Sequence, residues 1–325
     1  MTRALELLAQ LPQAQVLCLG DLMLDRYIYG SADRLSPEAP VPVVRVQSRK
    51  IMPGGLGNVA KNLAALGVKV LSIGLIGDDP AGVDLTRLMT EALKPQIPVF
   101  LKDPTRPTTV KTRLIAGIQQ VVRYDEESDA PITGSLADQY RAEVARSLPR
   151  VGAVALSDYG KGVLTPSMVA WILSEAQKQS RPTVVDPKGA DYSPYRGATV
   201  VTPNCQELSL AVGKPVKKTD PEGLAKAGQE LMARHGLQNL LITRSEAGMT
   251  LLTGGGACHH LPTQAQAVYD VSGAGDTVMG VLTAALAAGA DLLVGAELAS
   301  RAAGVVVGKV GTAVATPEEI RNAPR

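Results

Sequence analysis

Short apolar runs rich in Val, Leu and Ile recur along the chain at 16–19, 70–75, 153–156, 183–185, 199–201, 240–242 and 249–252. Stretches at 58–66, 80–93, 136–147, 166–178 and 222–235, and one running on from Asp276, read as helices. Strands alternating with helices admit few architectures, because a parallel pair needs a crossover long enough to be a helix. The helices then cover both faces of the sheet, so each strand reads as a continuous apolar run. The expected fold class is α/β, with a doubly wound, mostly parallel sheet. An aromatic content of 3% beside 45% apolar residues agrees with an aliphatic core of that kind.

Two regions, 26–50 and 99–125, break the rhythm. The first contains Val41-Pro42-Val43-Val44-Arg45-Val46; the second contains runs at 110–115 and 119–124 around Gly117, which read as a hairpin. Strands that interrupt a doubly wound order are expected to leave the main sheet as a small β-layer, acting as a lid over a ligand or as a dimer surface. No internal repeat, low-complexity tract or long linker divides the chain. Residues 1–325 therefore read as a single domain carrying both lid segments.

Net charge narrows the partners. At +2 it gives no electrostatic case for binding nucleic acid or a membrane surface. Three scattered cysteines (Cys18, Cys205, Cys258) do not make a disulfide framework and fit a reducing cytoplasm. Cys258-His259-His260 lacks a second pair of spaced metal ligands, and after Gly254-Gly255-Gly256 it reads as an exposed turn. Glu6 falls where a signal peptide would be apolar, and the longest apolar run, beyond Asp276, is too short to span a bilayer. A cytoplasmic location is expected.

The predicted strand ends carry the chemistry. Residues 16–19 lead to Asp21 and Asp25; 153–156 lead to Ser157-Asp158-Tyr159-Gly160-Lys161; 183–185 lead to Asp186-Pro187-Lys188. Asn204 and Glu207 follow 199–201, and Thr243-Arg244-Ser245 follow 240–242. One aspartate after a strand is usually a cap or turn former. Five such ends along the edge where open α/β sheets bind ligands suit a phosphorylated ligand with a metal. Near the C-terminus, Gly273-Ala274-Gly275-Asp276 opens an apolar helix, whose unpaired N–H groups and dipole suit a phosphate. Asp276 is then placed to take a proton from an attacking hydroxyl, although an aspartate there can equally serve as a cap.

Gly55-x-Gly57-x-x-Ala60 formally matches a dinucleotide fingerprint, with Asp78 or Asp79 at the distance of a ribose contact. However, the fingerprint needs a buried strand before it, and 48–53 does not read as one. The NAD reading is rejected in favour of a backbone that lets a compact polar ligand approach, with Asn58 offering donor and acceptor. Neither a Walker A sequence nor the protein-kinase pattern is present, so a phosphotransferase here needs another scaffold.

Taken together, Gly54-Gly55-Leu56-Gly57-Asn58 and Asp270-Val271-Ser272-Gly273-Ala274-Gly275-Asp276-Thr277 resemble the two signatures of the ribokinase-like (PfkB) carbohydrate kinases. Within that family, Gly20-Asp21-Leu22-Met23-Leu24-Asp25-Arg26-Tyr27, the stretch 35–43, Ser157-Asp158-Tyr159-Gly160-Lys161-Gly162, Asp186-Pro187-Lys188-Gly189 and 262–266 resemble the kinases acting on D-glycero-β-D-manno-heptose 7-phosphate. The resemblance implies ATP, Mg²⁺ and transfer to the anomeric C1 hydroxyl, an early step toward the heptose of lipopolysaccharide. It implies the single-function form, since the nucleotidyltransferase domain of many relatives does not follow.

Residue by residue, the resemblance makes Asp276 the base, with the N–H groups of Gly273, Ala274, Gly275 and Asp276 stabilising charge on the phosphoryl group. Asp25, Gly55, Asn58 and Asp158 fall to the sugar; Asn204 and Glu207 to water-held magnesium; Thr243, Ser245 and Gly248 to the nucleotide channel. Lys161, Lys188, Arg113 and Arg123 are the phosphate cations, without separation between ATP and the 7-phosphate. Residues 305–316 would close over the adenine, and Asp270 with Ser272 could hold K⁺. A homodimer through the β lid is expected. Leu56 and Ser272 depart from the family's usual small residue and threonine, which bears on pocket shape, not on the base. The rivals are a kinase of the same fold acting on fructose or tagatose phosphate, and a non-catalytic sugar or nucleotide sensor.

Overall fold

The computed structural model describes residues 2–263, 271–309 and 311–323. A nine-stranded sheet runs in the order β13-β12-β11-β10-β9-β8-β1-β4-β5. Its strands are β1 (Gln15–Gly20), β4 (Lys69–Gly77), β5 (Val99–Asp103), β8 (Ala153–Ser157), β9 (Thr183–Asp186), β10 (Val200–Val201), β11 (Asn239–Thr243), β12 (Met249–Thr253) and β13 (Cys258–Leu261). All are parallel except β12 and β13, which form an antiparallel edge.

Period-two burial divides each central strand between two cores. Val16 and Cys18 of β1 join one core, Leu17 and Leu19 the other; Leu241 of β11 joins the first, Leu240 and Ile242 the second. The first core is completed by α2 (Leu56–Ala65), α3 (Pro80–Ala92), α8 (Ala274–Ala287) and α9 (Leu292–Val306), with the short α1 (Thr2–Leu7) and α10 (Pro317–Asn322) at its rim. The second is completed by α4 (Gly134–Ser147), α5 (Pro166–Lys178), α6 (Cys205–Val212) and α7 (Pro221–His235). The chain leaves β1 for β4 on one side and reaches β8 on the other, so the strand order reverses between β1 and β8. A crevice opens beyond the carboxyl ends of the strands at such a point.

The small sheet runs β3-β2-β6-β7, built from β2 (Leu22–Leu35), β3 (Pro42–Gly55), β6 (Val110–Ala116) and β7 (Gln119–Glu126). β2 begins one residue after β1 ends, and β3 runs straight into α2. The lid is thus rooted in the crevice.

Three expectations change. Val99–Asp103 pairs with β4 in the main sheet, so the second lid segment begins at Val110. Residues 48–53 do form a strand, part of β3, with a charged exposed stretch that hides its pairing from an apolar-run reading. It belongs to the small sheet, not to a parallel βαβ unit, so the NAD reading still lacks its strand. Cys258-His259-His260 is the edge strand β13, not a turn; being exposed on one side, it shows no apolar run.

Candidate active site

β1 ends at Gly20, whose φ is +138°; a Cβ there would lie 2.1 Å from the Ser157 carbonyl oxygen, so only glycine lets β1 and β8 run side by side to their ends. The next residue, Asp21, is buried and accepts backbone N–H bonds from Tyr159 (2.9 Å) and Lys161 (3.0 Å), which shapes the loop after β8. That loop delivers Tyr159 to the crevice.

Asp276 occupies the first turn of α8 and is 6% exposed. Its Oδ2 accepts from Asn58 Nδ2 at 2.7 Å and its Oδ1 from the Tyr159 hydroxyl at 3.0 Å. Burial pushes its carboxyl up to about 6, against the pull of these two hydrogen bonds. Asn58 is itself oriented by Asn62, which donates to its backbone oxygen (2.9 Å) and to its Oδ1 (3.3 Å), while the Thr277 hydroxyl donates to Asn62 Oδ1. Asn58 is thus a holder of Asp276, spending its amide inside the protein, where the sequence suggested sugar hydroxyls. Gly273 has φ +80°, and a Cβ would meet Asn58 Nδ2 at 2.5 Å. The glycine start of α8 therefore serves the approach of Asn58, while Gly275, with open space around its Cα, faces the cavity.

A cavity of about 260 Å³ lies before Asp276, walled by Asp158, Asp186, Lys188, Asn204, Glu207 and Tyr159 among others. Asp158 accepts from the Tyr195 hydroxyl (2.8 Å) and the Gly160 N–H (2.9 Å), and burial raises it to about 6. Asp186 is pushed well above the carboxylate range by burial, then by the charges of Glu207 and Asp276. Burial also raises Glu207. Carboxylates crowded around one lysine make a site whose charge favours a cation. Asn204 and Glu207 form a capping box on α6, with Asn204 Oδ1 accepting from the N–H groups of Gln206 and Glu207, and Glu207 Oε2 from that of Asn204. Capping and cavity lining coexist at these two residues.

A second cavity of about 290 Å³ adjoins the first through Asn204, Thr243 and Gly275. Its walls include Ser245, Gly248, Val278, Ala303, Gly304 and Val307, a largely apolar slot at the C-terminal part of α9. Gly248 has φ +83°, and a Cβ would meet the Leu261 carbonyl at 2.1 Å, which fixes the turn between β11 and β12.

The lid supplies Asp25, buried and bonded by Arg113 Nη1 at 2.5 Å, with that guanidinium 5.2 Å from the Tyr27 ring centre. Gly54 and Gly55 admit this neighbourhood: a Cβ on Gly54 would meet Asp25 Oδ2 at 2.2 Å, and Gly55 has φ +54°. Arg123 lies opposite Arg113 across β6 and β7 and pairs with Asp125 (3.0 Å), half-exposed. Lys161 Nζ pairs with Glu127 (2.7 Å). Neither reaches the 260 Å³ cavity; Lys188 does. Ser272 is in the turn before α8, and Asp270 lies outside the described residues. Among the described residues no group of three His, Cys, Asp or Glu side chains could cage an ion directly. Tyr159, Asp186 and Asp21 join the site without having been singled out as site residues. Their signal was position, each following the end of a central strand.

The pfkB family carbohydrate kinase pattern matches residues 13–319, and the chain belongs to that family. It is 47% identical over 308 residues to the bifunctional protein HldE of Rhodospirillum rubrum, covering 95% of this chain and 62% of that protein. The HldE of Erwinia tasmaniensis is 48% identical, over 96% of this chain and 63% of that protein. The chain thus spans less than two thirds of the length of these relatives. Among solved structures, phosphofructokinase-2 from Escherichia coli in complex with substrates and products superposes with a TM-score of 0.76 at 20% identity, covering 95% of this chain and 97% of that one. Arabidopsis thaliana ribokinase complexed with ribose and ATP superposes at 0.74 and 18% identity, covering 95% and 98%. The fold is ribokinase-like, and the family is one of carbohydrate kinases, phosphotransferases that act on a sugar hydroxyl.

With a carboxyl raised to about 6 in the fold, against about 3.9 when unfolded, the protonated form favours folding fully below about pH 3.9. That contribution is lost as pH rises through about 6. Asp276→Asn should therefore raise stability in urea at pH 8, by roughly 1–3 kcal/mol, and change it little at pH 4.

Proposed function

We propose that this chain transfers the γ-phosphoryl group of ATP to the C1 hydroxyl of D-glycero-β-D-manno-heptose 7-phosphate, giving the 1,7-bisphosphate. The observation that carries the reading is the buried Asp276 carboxylate, held by Asn58 and Tyr159 where the α8 N-terminus meets the cavity. A carboxylate with a raised pKa is suited to receive the proton of the attacking hydroxyl. Each of its oxygens accepts one bond and has capacity for another, so the sugar hydroxyl can donate to Asp276 with Asn58 and Tyr159 still in place. The choice of sugar rests on the segments 20–27, 157–162 and 186–189, with the 47–48% identity to the bifunctional relatives as support.

The apolar slot beside Val307 takes the adenine, and the N–H groups from Gly273 to Asp276 face charge developing on the phosphoryl group. Magnesium suits the donors present: Asn204, Glu207 and Asp186 offer hard oxygens, and this ion keeps several waters when bound with a triphosphate. Bound there, it neutralises phosphate charge. We assign the 7-phosphate to Arg113, which pairs with Asp25, and to Lys161, and the ATP phosphates to Lys188, which lines the cavity. A cytoplasmic location, with residues 1–325 acting as one kinase unit, completes the reading.

The outer lid face supports a homodimer. Ile28, Leu114 and Val122 lie in line across β2, β6 and β7, with Tyr124 on the same face of β7; Val122 and Tyr124 are 45% and 48% exposed. Sedimentation at working concentration should give a dimer that Val122→Glu shifts toward monomer; a wild-type monomer contradicts it.

Incubation with Mg·ATP and the heptose 7-phosphate should release ADP and produce a new anomeric phosphate by phosphorus NMR. Asp276→Asn should keep ATP binding and lose turnover by about two to four orders of magnitude. Preference for fructose 6-phosphate or tagatose 6-phosphate would replace the substrate and leave the kinase; sugar binding without ATP consumption would make the protein a sensor.

A further inference from the structure

Beside the turn after β11, a groove of about 600 Å³ is lined, among others, by Cys205, Ser209, Lys217, Lys218, Thr219 and Arg244, none of which lines the transfer cavity. It shares Asn204, Thr243 and Ser245 with the 290 Å³ nucleotide slot, and Asn204 and Thr243 with the transfer cavity as well. No carboxylate lines it.

Arg244 is the telling residue. It is 6% exposed, yet its Nε has no hydrogen-bond partner, and its guanidinium makes one long bond, from Nη1 to the Lys218 carbonyl at 3.4 Å. Among the described residues no carboxylate pairs with it. A buried guanidinium without a counter-charge is expensive for the fold, and most buried charges are paired. Lys218 is paired with Glu246 at 2.5 Å, whereas Lys217 has no ion pair among the described residues and adds positive charge at the rim. The planar fork of an arginine with two lysines near it is chemistry that recognises phosphate oxygens.

We infer that this groove is an anion subsite for a phosphate-bearing ligand, separate from the site of phosphoryl transfer. An occupant would touch Asn204, Thr243 and Ser245, which also wall the nucleotide slot, so binding in the two places is expected to be coupled. The inference does not depend on which sugar is the substrate.

The test is calorimetric. The full chain is saturated with a non-hydrolysable ATP analogue at constant excess magnesium, then titrated with inorganic pyrophosphate. One further equivalent should bind without release of the analogue. Lys217→Ala/Lys218→Ala should weaken that equivalent at least tenfold while the analogue alone binds within about twofold of wild type. Arg244→Leu should weaken it as well. ADP titrated in place of pyrophosphate separates the sources: tighter binding than pyrophosphate assigns the groove to a second nucleotide, and equal or weaker binding to a free phosphate anion. Absence of a further equivalent, displacement of the analogue by pyrophosphate, or unchanged affinity in the double lysine variant overturns the inference. Failure of the analogue to bind at all would instead count against the kinase reading.

Discussion

One buried carboxylate organises the centre of this molecule. Asp276 draws a donor from α2, through Asn58, and another from the loop after β8, through Tyr159, segments separated from it by 218 and 117 positions in the chain. An ionised carboxylate out of water is tolerated only where such donors replace its hydration. The constraint propagates outward. Asn58 must approach α8, so Gly273 has no side chain; Asn62 must hold Asn58, so Thr277 holds Asn62. Tyr159 must point inward, so Asp21 ties down its loop, and β1 must end against β8, so Gly20 takes a conformation closed to other residues.

The second constraint is charge. Asp158, Asp186, Glu207 and Asp276 all have carboxyls raised by burial, around a cavity with Lys188 as its lysine. Such an arrangement is at odds with itself in the bare protein, and a bound cation relieves it. It is the electrostatic complement of a metal–triphosphate. The lid handles its charges differently, pairing Arg113 with Asp25, Lys111 with Asp125, and Lys161 with Glu127. Under the proposed function, a sugar phosphate would take the place of a carboxylate partner at Arg113 and Lys161.

Much of this was legible in the residues, and the parts that were not have physical reasons. Strands buried on both faces announce themselves as apolar runs, so the parallel sheet could be read from 16–19, 153–156 and 240–242. The polar edge that walls the cavity could be read because polar residues follow those runs. The lid was seen as a departure from the rhythm, but its extent was not. β3 is exposed on much of its length, as is the far end of β2, and lacks the apolar signal; β5 was grouped with the lid because it is a short edge strand, only partly buried. Asn58 was placed at the ligand for its amide, whereas only the three-dimensional meeting of α2 with α8 shows that the amide is used on Asp276. The bond from Tyr159 to Asp276 was hidden for the same reason: no spacing rule connects a residue after β8 with the first turn of α8.

The most direct test of the account is the pH dependence of kcat/KM for wild type and Tyr159→Phe. A sugar phosphate titrates near pH 6 as well, so the informative quantity is the difference between the two proteins. Loss of the tyrosine donor removes a bond that favours ionised Asp276, so the acid limb set by this carboxylate, near 6 in wild type, should move to higher pH. The limb due to the substrate should stay in place. Identical profiles, or activity undiminished well below pH 5, would contradict the claim that a buried Asp276, held by Asn58 and Tyr159, accepts the proton.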